Sequence, residues 1–372
     1  MSNKKLNFIK KLLNKADIQI NGHRPWDIQV HNEALYDRIL QDGSMGLGEA
    51  YLDAWWDVQK LDEFFFRVLN ADLDNKIKQN LQLMLFIIFN SLFNRQRKSR
   101  AFIIGQHHYD LGNDLYQAML DPRLTYTGAY WDKATNLAEA QEAKLDLVCR
   151  KLKLQAGQNI LDIGGGWGSW AKYAAEKYDV KVTVLTVSKE QVALGQELCA
   201  GLPVTFLLQD YREVQGQFDH VVSLGMVEHV GYKNYRTYME VASRCLKDSG
   251  LFLLHTIGGN TSVKRNDPWI EKYIFPNSML PSVKQLGQAF EDIFVMEDWH
   301  NFSAYYDPTL MAWFKNFDDH WLELKDKYGD RFYRMWKYYL LSSAASFRSR
   351  KNQLWQIVLS KKGIPGRYKS VR

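Results

Sequence analysis

The stretch that decides the fold is Ile160-Leu161-Asp162-Ile163-Gly164-Gly165-Gly166-Trp167-Gly168. Its apolar beginning predicts a strand from Asn159 to Ile163, and its glycines permit a tight turn and a close approach of the backbone to a ligand. A helix that runs to about Tyr178 is predicted after the turn. A strand, a glycine turn and a helix in this order are typical of a ligand-binding loop at the edge of a parallel sheet.

Predicted strands and helices alternate on the carboxyl side of this loop. Because strands that are separated by helices pair in parallel, the pattern predicts a doubly wound α/β sheet with helices on both faces. The further strands are Val180–Val187, Val204–Leu208, His220–Leu224 and Leu251–His255, and the helices are Glu190–Leu198 and Asn234–Leu246.

The spacing of the glycines narrows the class of ligand. Gly164, Gly166 and Gly168 follow Asp162 as G-x-G-x-G. This spacing resembles the loop of class I methyltransferases, which use S-adenosylmethionine, more than the G-x-G-x-x-G loop that binds dinucleotides. A nicotinamide-dependent enzyme is the alternative that the loop alone leaves open.

The ends of the next two strands supply further candidate ligands. An acid that holds a ribose is expected about 20 residues after the loop, but the second strand ends in Thr186-Val187-Ser188. Thr186 and Gln191 are therefore candidates for that hydrogen-bonding role. The third strand ends in Gln209-Asp210-Tyr211, where a carboxylate and a ring can meet an adenine. Each is an ordinary loop residue alone, but successive strand ends define a crevice.

The first hundred residues differ from the rest of the chain. Lysines among apolar side chains predict an amphipathic helix at the start, and short strands are predicted at Ile18–Ile20 and Ile28–Val30. Helices are predicted at Asn32–Leu40 and Leu47–Trp56. The turns between them are predicted from a cluster of three glycines, Gly43, Gly46 and Gly48.

The segment Asn75–Arg100 contains no acidic residue, and its bases flank the apolar run Leu81–Phe93. An apolar helix flanked by cations suits an anionic bilayer surface, whereas a buried helix followed by a solvated basic linker is the alternative. The run is shorter than the roughly 20 residues that span a bilayer. The segment predicts a boundary between a smaller, mainly helical lipid-binding domain at 1–100 and a catalytic domain at 101–372.

The composition indicates which partners and which cellular compartment are compatible with the protein. The chain has 372 residues, 46% of them hydrophobic, and a net charge of +6, which suits a membrane surface or nucleic acid. The apolar filling of the basic segment argues against nucleic acid. The three cysteines show no metal-type pairing, which indicates a reducing compartment. Without a secretory signal, a cytoplasmic protein that is at most peripheral to the membrane is predicted.

Several further motifs appear in a fixed order along the chain, and together they carry a family resemblance. The motifs are His108–Asp114, the glycine loop, Gly225–Gly231, Leu254–Gly258, Asp298–Phe302, Tyr306–Trp313 and Gln353–Gln356. With these motifs, the chain resembles bacterial cyclopropane-fatty-acyl-phospholipid synthases and, more distantly, mycolic acid cyclopropane synthases, nearly from end to end.

This resemblance implies a reaction in which S-adenosylmethionine supplies a methylene group to the cis double bond of an acyl chain in a membrane phospholipid. The π bond attacks the sulfonium methyl, and a bound bicarbonate then removes a proton from the new methyl, which closes the ring. The family also implies a homodimer whose N-terminal domain contacts lipid at the inner face of the membrane. The catalytic set that the resemblance implies is Glu228, His255, Tyr306, Gly128 and Ile257.

The implied cofactor set combines the resemblance with the strand ends, and two positions depart from the family pattern. Gly128 and Gly165 stand where relatives commonly have cysteine, so at 128 a backbone contact to the bicarbonate survives and a thiol contact does not. The cofactor-binding residues are Tyr126, Thr127, Asp162, Gly164, Gly165, Gly166, Gly168, Thr186, Val187, Gln191, Gln209, Asp210 and Tyr211.

Several alternatives stay open. Glu228 and His255 are structural polar residues in the alternative interpretation, and the aromatic segment Asp267–Pro276 either lines an acyl channel or packs in a core. His107 and His108 suggest a metal, but adjacent strand residues point to opposite faces and no third ligand is apparent, so no metal is predicted. The competing functions are a lipid C-methyltransferase that stops at a methyl branch and a non-catalytic lipid-binding protein.

Overall fold

The computed structural model describes residues 3–72 and 112–372. Contacts divide the described chain into two compact units. Unit 1 contains the residues up to Met119 together with Arg265–Asn277 and Leu310–Lys351, and unit 2 contains Leu120–Lys264, Ser278–Thr309 and Asn352–Arg372. The predicted boundary at residue 100 lies outside the described residues. Arg265–Asn277 and Leu310–Lys351 also belong to unit 1, so a single boundary does not describe the division. The lipid-binding role of residues 1–100 and the catalytic role of residues 101–372 stay predictions.

Twelve helices and nine strands are numbered here in chain order among the described residues. The helices are α1 Asn3–Lys15, α2 Ala34–Leu52, α3 Leu61–Asn70, α4 Asn113–Met119, α5 Leu137–Leu152, α6 Ser169–Tyr178, α7 Lys189–Leu198, α8 Tyr235–Cys245, α9 Pro268–Tyr273, α10 Val283–Phe290, α11 Tyr306–Asp319 and α12 Trp321–Arg348. The strands are β1 Gln29–Val30, β2 Trp56–Asp57, β3 Asn159–Ile163, β4 Lys181–Thr186, β5 Val204–Leu208, β6 Phe218–Leu224, β7 Leu246–Gly259, β8 Val295–Asn301 and β9 Asn352–Ser360.

Unit 2 is built on a seven-stranded sheet in the order β5-β4-β3-β6-β7-β9-β8. The strands β3 to β7 pair in parallel, as the alternating pattern predicts. By contrast, β9 pairs antiparallel with both β7 and β8, which the sequence analysis did not foresee. The predicted doubly wound α/β sheet is confirmed for the parallel part.

The two faces of this sheet bury separate apolar clusters. Leu161 and Ile163 of β3 belong to one cluster, and Ile160 belongs to the other, because successive side chains of a strand point to opposite faces. Both clusters are capped by helices, which explains why the strands read as nearly continuous apolar runs. The buried cysteines Cys149, Cys199 and Cys245 are free thiols within these clusters.

Unit 1 is mainly helical and rich in buried aromatic rings. The ring of Phe65 on α3 packs edge-on against Tyr338 on α12, with centroids 5.0 Å apart. Trp269 on α9 lies 4.4 Å from the same tyrosine and is only 1% exposed. The predicted amphipathic helix at the chain start is α1, whose Ile9 packs with Tyr36 and Leu40. Trp269 therefore serves the core of unit 1.

The three glycines predicted as turns behave differently from one another. Only Gly43, at φ 57°, breaks the helical geometry of α2, so the prediction of turns is wrong at Gly46 and Gly48, which lie inside the helix. A Cβ at Gly46 would overlap the carbonyl oxygen of Arg38, and one at Gly48 would overlap the ring of Trp269. These two glycines permit close packing.

Several predictions fall outside the described residues, namely Asn75–Arg100 with its apolar run, and His107 and His108. Within 3–72 and 112–372, no helix has the length and apolar character that crossing a bilayer requires. Over the same residues, no group of three or more His, Cys, Asp or Glu side chains is arranged to hold a metal ion.

Candidate active site at the carboxyl edge of the sheet

The carboxyl edge of the parallel strands contains the predicted crevice. The strands β3 and β6 are neighbours, and the chain continues from them to opposite sides of the sheet, which places a topological switch point between them. Gly164 follows β3 and Gly225 follows β6, and both have positive φ angles, 79° and 75°. A Cβ at Gly164 would lie 2.9 Å from the side chain of Met226, and one at Gly225 would lie 2.9 Å from Thr127. The structure therefore brings the 127, 164 and 225 segments together.

The glycine loop has a crowded side and an open side. A Cβ at Gly165 would overlap a carboxylate oxygen of Asp162, and one at Gly168 would lie 2.5 Å from the ring of Phe206. At Gly166, by contrast, no described atom lies within 4 Å of that position. The loop thus rests on Asp162 and presents Gly166 to open space, where a ligand can approach the backbone.

The ends of β4 and β5 place the remaining candidates along the same edge. The hydroxyl of Thr186 donates to the Gln191 side-chain oxygen at 2.6 Å, so the two residues predicted for the ribose contact each other. The side chain of Asp210 accepts from Arg212 at 2.8 and 2.7 Å. Val187 is 76% exposed, which leaves an apolar surface at the tip of β4.

Gln209 and Tyr211 have mainly internal contacts. The backbone N–H of Gln209 donates to the carbonyl of Thr186 at 3.0 Å, which joins the two strand ends. The ring of Tyr211 is buried and packs edge-on against Tyr238, with centroids 5.3 Å apart. The assignment of Asp210 and Tyr211 to adenine binding, and of Gln209 to the cofactor site, stays a prediction.

Glu228 and His255 are buried beside the switch point, and each has a polar atom without a partner among the described residues. Glu228 Oε1 accepts from the backbone N–H of Ile257 at 2.7 Å, while its Oε2 has no partner. His255 Nε2 also has none. Glu228 is 6% exposed and His255 is 1% exposed. Unpaired polar atoms at such depth are costly unless a polar ligand satisfies them.

Shared neighbours join the rest of the predicted catalytic set to this pair. Ile257 lies two residues after His255, on the same face of β7, and pairs with Leu354 of β9. A Cβ at Gly128 would lie 2.6 Å from Leu354 and 3.2 Å from the ring of Tyr306. The five predicted catalytic residues therefore form one neighbourhood.

The electrostatics of this neighbourhood follow from its burial. Removal from water raises the pKa of Glu228 to about 7, because burial disfavours the charged form of a carboxyl. Burial also lowers the pKa of His255 well below its usual range, and the charges of Lys144 and Lys151 lower it further. His255 is therefore an uncharged imidazole at neutral pH.

Gln141 and Lys144 are two buried residues that the sequence analysis missed. Both lie on α5, one turn apart, and both reach the segment at 125–127. Gln141 Nε2 donates to the carbonyl of Thr127 at 2.8 Å, and Lys144 Nζ donates to its hydroxyl at 2.7 Å. Burial lowers the pKa of Lys144 to about 7, and burial raises that of Asp162 to about 7. A lysine on the apolar stripe of a helix is the sequence signal that could have revealed this contact.

A family model matches most of the chain. Residues 96–357 match the family model of mycolic acid cyclopropane synthetase, which is more than half of the chain. The chain belongs to this family.

Relatives within the cyclopropane synthase family extend over nearly the whole chain. The chain is 54% identical to the cyclopropane-fatty-acyl-phospholipid synthase of Escherichia coli strain K12, over 94% of this chain and 92% of that protein. It is 30% identical to the tuberculostearic acid methyltransferase UfaA1 of Mycobacterium tuberculosis, over 92% of this chain and 83% of the relative.

A solved structure of the mycolic acid cyclopropane synthase CmaA1, complexed with SAH and CTAB, superposes on the chain with a TM-score of 0.65. The two chains are 32% identical, and the match covers 69% of this chain and 97% of that one. The predicted family resemblance and the class I methyltransferase fold are both confirmed.

Gly128 departs from the cysteine that the resemblance places there, and its packing makes the departure testable. We expect Gly128→Cys to lower the stability of the chain by about 1–3 kcal/mol, the usual cost of overpacking a core, because its Cβ would lie 2.6 Å from Leu354. Leu354→Val should restore part of the loss. The midpoint of urea unfolding measures the effect. Gly287→Cys is the matched control, since no described atom lies within 4 Å of its Cβ position, and equal losses at 128 and 287 would contradict the packing argument.

Lys144→Met tests whether the hydrogen bond from α5 to Thr127 supports cofactor binding. We expect the affinity for S-adenosylhomocysteine to fall about tenfold, or ~1.4 kcal/mol, because Thr127 loses its 2.7 Å hydrogen bond and Asp162 loses a neighbouring cation. Titration calorimetry measures the change. Lys151→Met removes a second buried lysine of the same helix, whose Nζ faces His300 at 3.0 Å. Wild-type affinity in Lys144→Met, or an equal loss in Lys151→Met, would show that the contact with Thr127 does not shape the cofactor crevice.

Proposed function

We propose that the chain is an S-adenosylmethionine-dependent enzyme that adds a methylene group across the cis double bond of an unsaturated acyl chain in a membrane phospholipid. Family membership supports the reaction class. The observation that carries the proposal is a pair of buried atoms next to the glycine-loop crevice, Glu228 Oε2 and His255 Nε2, which have no partner among residues 3–72 and 112–372.

S-Adenosylmethionine supplies an electrophilic methyl on its sulfonium. An alkene needs no base to attack that methyl, but it needs orientation and a site from which water is excluded. The residues proposed to orient the cofactor lie at the open side of the glycine loop, at Gly166, and in the segment 126–127. Gln141 and Lys144 of α5 hold that segment through hydrogen bonds to Thr127. The backbone N–H groups of Gly164 and Gly165 donate to the carbonyl of Leu185 at 2.9 and 3.3 Å, which holds the start of the loop on β4.

The second half of the reaction requires a base. Methyl transfer to one alkene carbon leaves positive charge on the other, and loss of a proton from the new methyl lets its electron pair close the ring. Glu228 and His255 fit a small anion that also carries one acidic hydrogen, such as bicarbonate. His255 Nε2–H can donate to an oxygen of the anion, and Glu228 Oε2 can accept its hydroxyl hydrogen.

Charge favours the same assignment. His255 is uncharged at neutral pH and adds no positive charge near a developing carbocation, whereas ionised Glu228 stabilises one. Tyr306 packs at Gly128, and we propose that its hydroxyl completes the set of donors to the anion.

The proposal extends to the setting of the enzyme. The net charge of +6 and the acid-free segment Asn75–Arg100 suit peripheral binding to the anionic inner face of the membrane. A homodimer is proposed from the family resemblance.

The test is an assay with vesicles of unsaturated phospholipid and cofactor labelled in its methyl group. We expect the label in the lipid, with the proton signals of a cyclopropane ring in the product. A methyl branch that keeps an alkene has the same mass, so the ring signals decide between the two transferases. Absence of label in the lipid would support a non-catalytic lipid-binding protein.

A further inference from the structure

Gln356 is the polar side chain directly beside the catalytic histidine. His255 on β7 pairs with Gln356 on β9, and Gln356 in turn pairs with His300 on β8. Residues paired across neighbouring strands point to the same face of a sheet. Gln356 is fully buried, at 0% exposure, and β9 has a partner strand on each side, which fixes its backbone. Gln356 is thus held against the imidazole from within the sheet.

The contact involves the ring nitrogen that faces away from the proposed anion. Gln356 Nε2 lies 3.4 Å from His255 Nδ1, while His255 Nε2 has no partner among the described residues. A neutral imidazole carries one N–H and one lone pair, and the bond at one nitrogen decides which nitrogen has the hydrogen. An amide N–H that donates to Nδ1 leaves the hydrogen on Nε2.

The charged groups near His255 determine how an amide or a carboxylate at position 356 would affect protonation of the ring. Lys144 and Lys151 both oppose protonation of the ring. The other titratable groups nearby are Glu228, which accepts from the N–H of Ile257 two residues along β7, and His300, which pairs with Gln356 on the far side of β9. An amide at 356 adds no charge to this set. A carboxylate there would accept from Nδ1–H and favour a protonated ring.

We propose that Gln356 is a positioning residue that fixes His255 as the tautomer with its hydrogen on Nε2. The uncharged ring then presents a hydrogen-bond donor to the reaction site. This role rests on the proposed function, in which that donor meets an oxygen of the bicarbonate. The opposite amide orientation would accept from Nδ1–H and leave a lone pair on Nε2, which would repel an oxyanion.

The ring nitrogens of the protein labelled with ¹⁵N-histidine give a direct test. The nitrogen chemical shifts in a long-range proton–nitrogen spectrum report which ring nitrogen carries the hydrogen, and His255→Asn identifies the signals. At neutral pH we expect the Nε2–H form in the wild type. Gln356→Glu should shift the ring to the Nδ1–H or protonated form, and Gln356→Leu should leave a mixture of tautomers.

Turnover supplies the second readout. We expect Gln356→Glu to lower kcat by about 10²–10³-fold, the usual cost of losing one hydrogen-bond donor to an oxyanion, with little change in KM for the cofactor. Its kcat should also depend on pH differently from that of the wild type, because the new carboxylate allows the ring to titrate. Gln353→Glu is the matched control on the same strand. Gln353 accepts from Asn301 at 2.9 Å and Ser303 at 3.0 Å, which a carboxylate can also do, so the His255 signals should stay those of the wild type.

Two results would overturn the proposal. One is a wild-type ring with its hydrogen on Nδ1, a measurement that does not require any Gln356 variant to fold. The other is Gln356→Glu with an unchanged tautomer and unchanged kcat. The spectrum needs neither turnover nor lipid, so failure of the vesicle assay together with an Nε2–H ring would refute the proposed reaction and leave the role of Gln356 in setting the tautomer intact.

Discussion

Replacing Glu228 by glutamine is expected to lower kcat by about 10²–10⁴-fold, the contribution of a positioned acid or base, without weakening cofactor binding. The amide has the size of the carboxylate, and its oxygen can still accept from the N–H of Ile257, as Oε1 does at 2.7 Å. The second atom changes from an acceptor into a donor. It can no longer accept the hydroxyl hydrogen of the proposed anion, so the anion loses its orientation.

Transfer of labelled methyl groups to vesicles measures turnover, and calorimetry with S-adenosylhomocysteine measures binding. Glu240→Gln on α8 is the matched control, since that side chain is 56% exposed and pairs with Arg236 at the surface at 3.5 Å. Full turnover in Glu228→Gln would remove Glu228 from the anion site.

The pH profile gives an independent signature of the same residue. Burial raises the pKa of Glu228 to about 7. Because Oε1 already accepts from the N–H of Ile257, protonation turns Oε2 from an acceptor into a donor. At a fixed bicarbonate concentration, kcat/KM should therefore fall as the pH drops through about 7, where the carboxyl takes up its proton. The glutamine variant cannot titrate, so its residual activity should lack this limb.

Gly166→Leu should weaken cofactor binding by at least about 100-fold, or ~2.7 kcal/mol, while the chain stays folded. Gly166 has φ 59°, and no described atom lies within 4 Å of its Cβ position, so a side chain there extends into the proposed cofactor space. The left-handed backbone adds a cost of roughly 1–2 kcal/mol for a residue other than glycine.

Gly201→Leu separates these two effects. Gly201 also has a positive φ, 81°, with no described atom within 4 Å of its Cβ position, but it follows α7 at the opposite end from the cofactor edge. Both variants should lose similar stability in urea, and only Gly166→Leu should lose cofactor affinity by calorimetry. Equal affinities in the two variants would place the cofactor elsewhere.

The local pattern of apolar and turn residues was sufficient to predict the parallel part of the sheet. Asn159–Ile163 and Val204–Leu208 are predicted with the bounds that the structure shows, because short apolar runs between turn signals indicate strands. The antiparallel course of β9 was not predictable, since it depends on pairing with β7, a strand about 100 residues earlier in the chain. Hydrophobic periodicity contains no information on that direction.

Some residues of the candidate site could be predicted from the sequence, and others could be identified only from the structure. Glu228, His255 and the glycines lie in motifs that can be recognised in the sequence, and the structure brings them together. Lys144 and Gln356 were missed as site residues because their importance arises from what they face, Thr127 and His255 respectively. A lysine and a glutamine in regular elements are usually solvent-facing, so only the three-dimensional contacts distinguish them.

The composition of unit 1 has a consequence for biosynthesis. Phe64 and Phe65 of α3 are buried in the same unit as α12, which ends at Arg348, and Arg348 pairs with Asp62 of α3 at 2.8 Å. A ribosome delivers α3 long before α12, so the first helices emerge without the surface that covers them. During that interval their apolar faces need a chaperone or another temporary cover, and a fragment cut near residue 100 would stay in that exposed condition permanently.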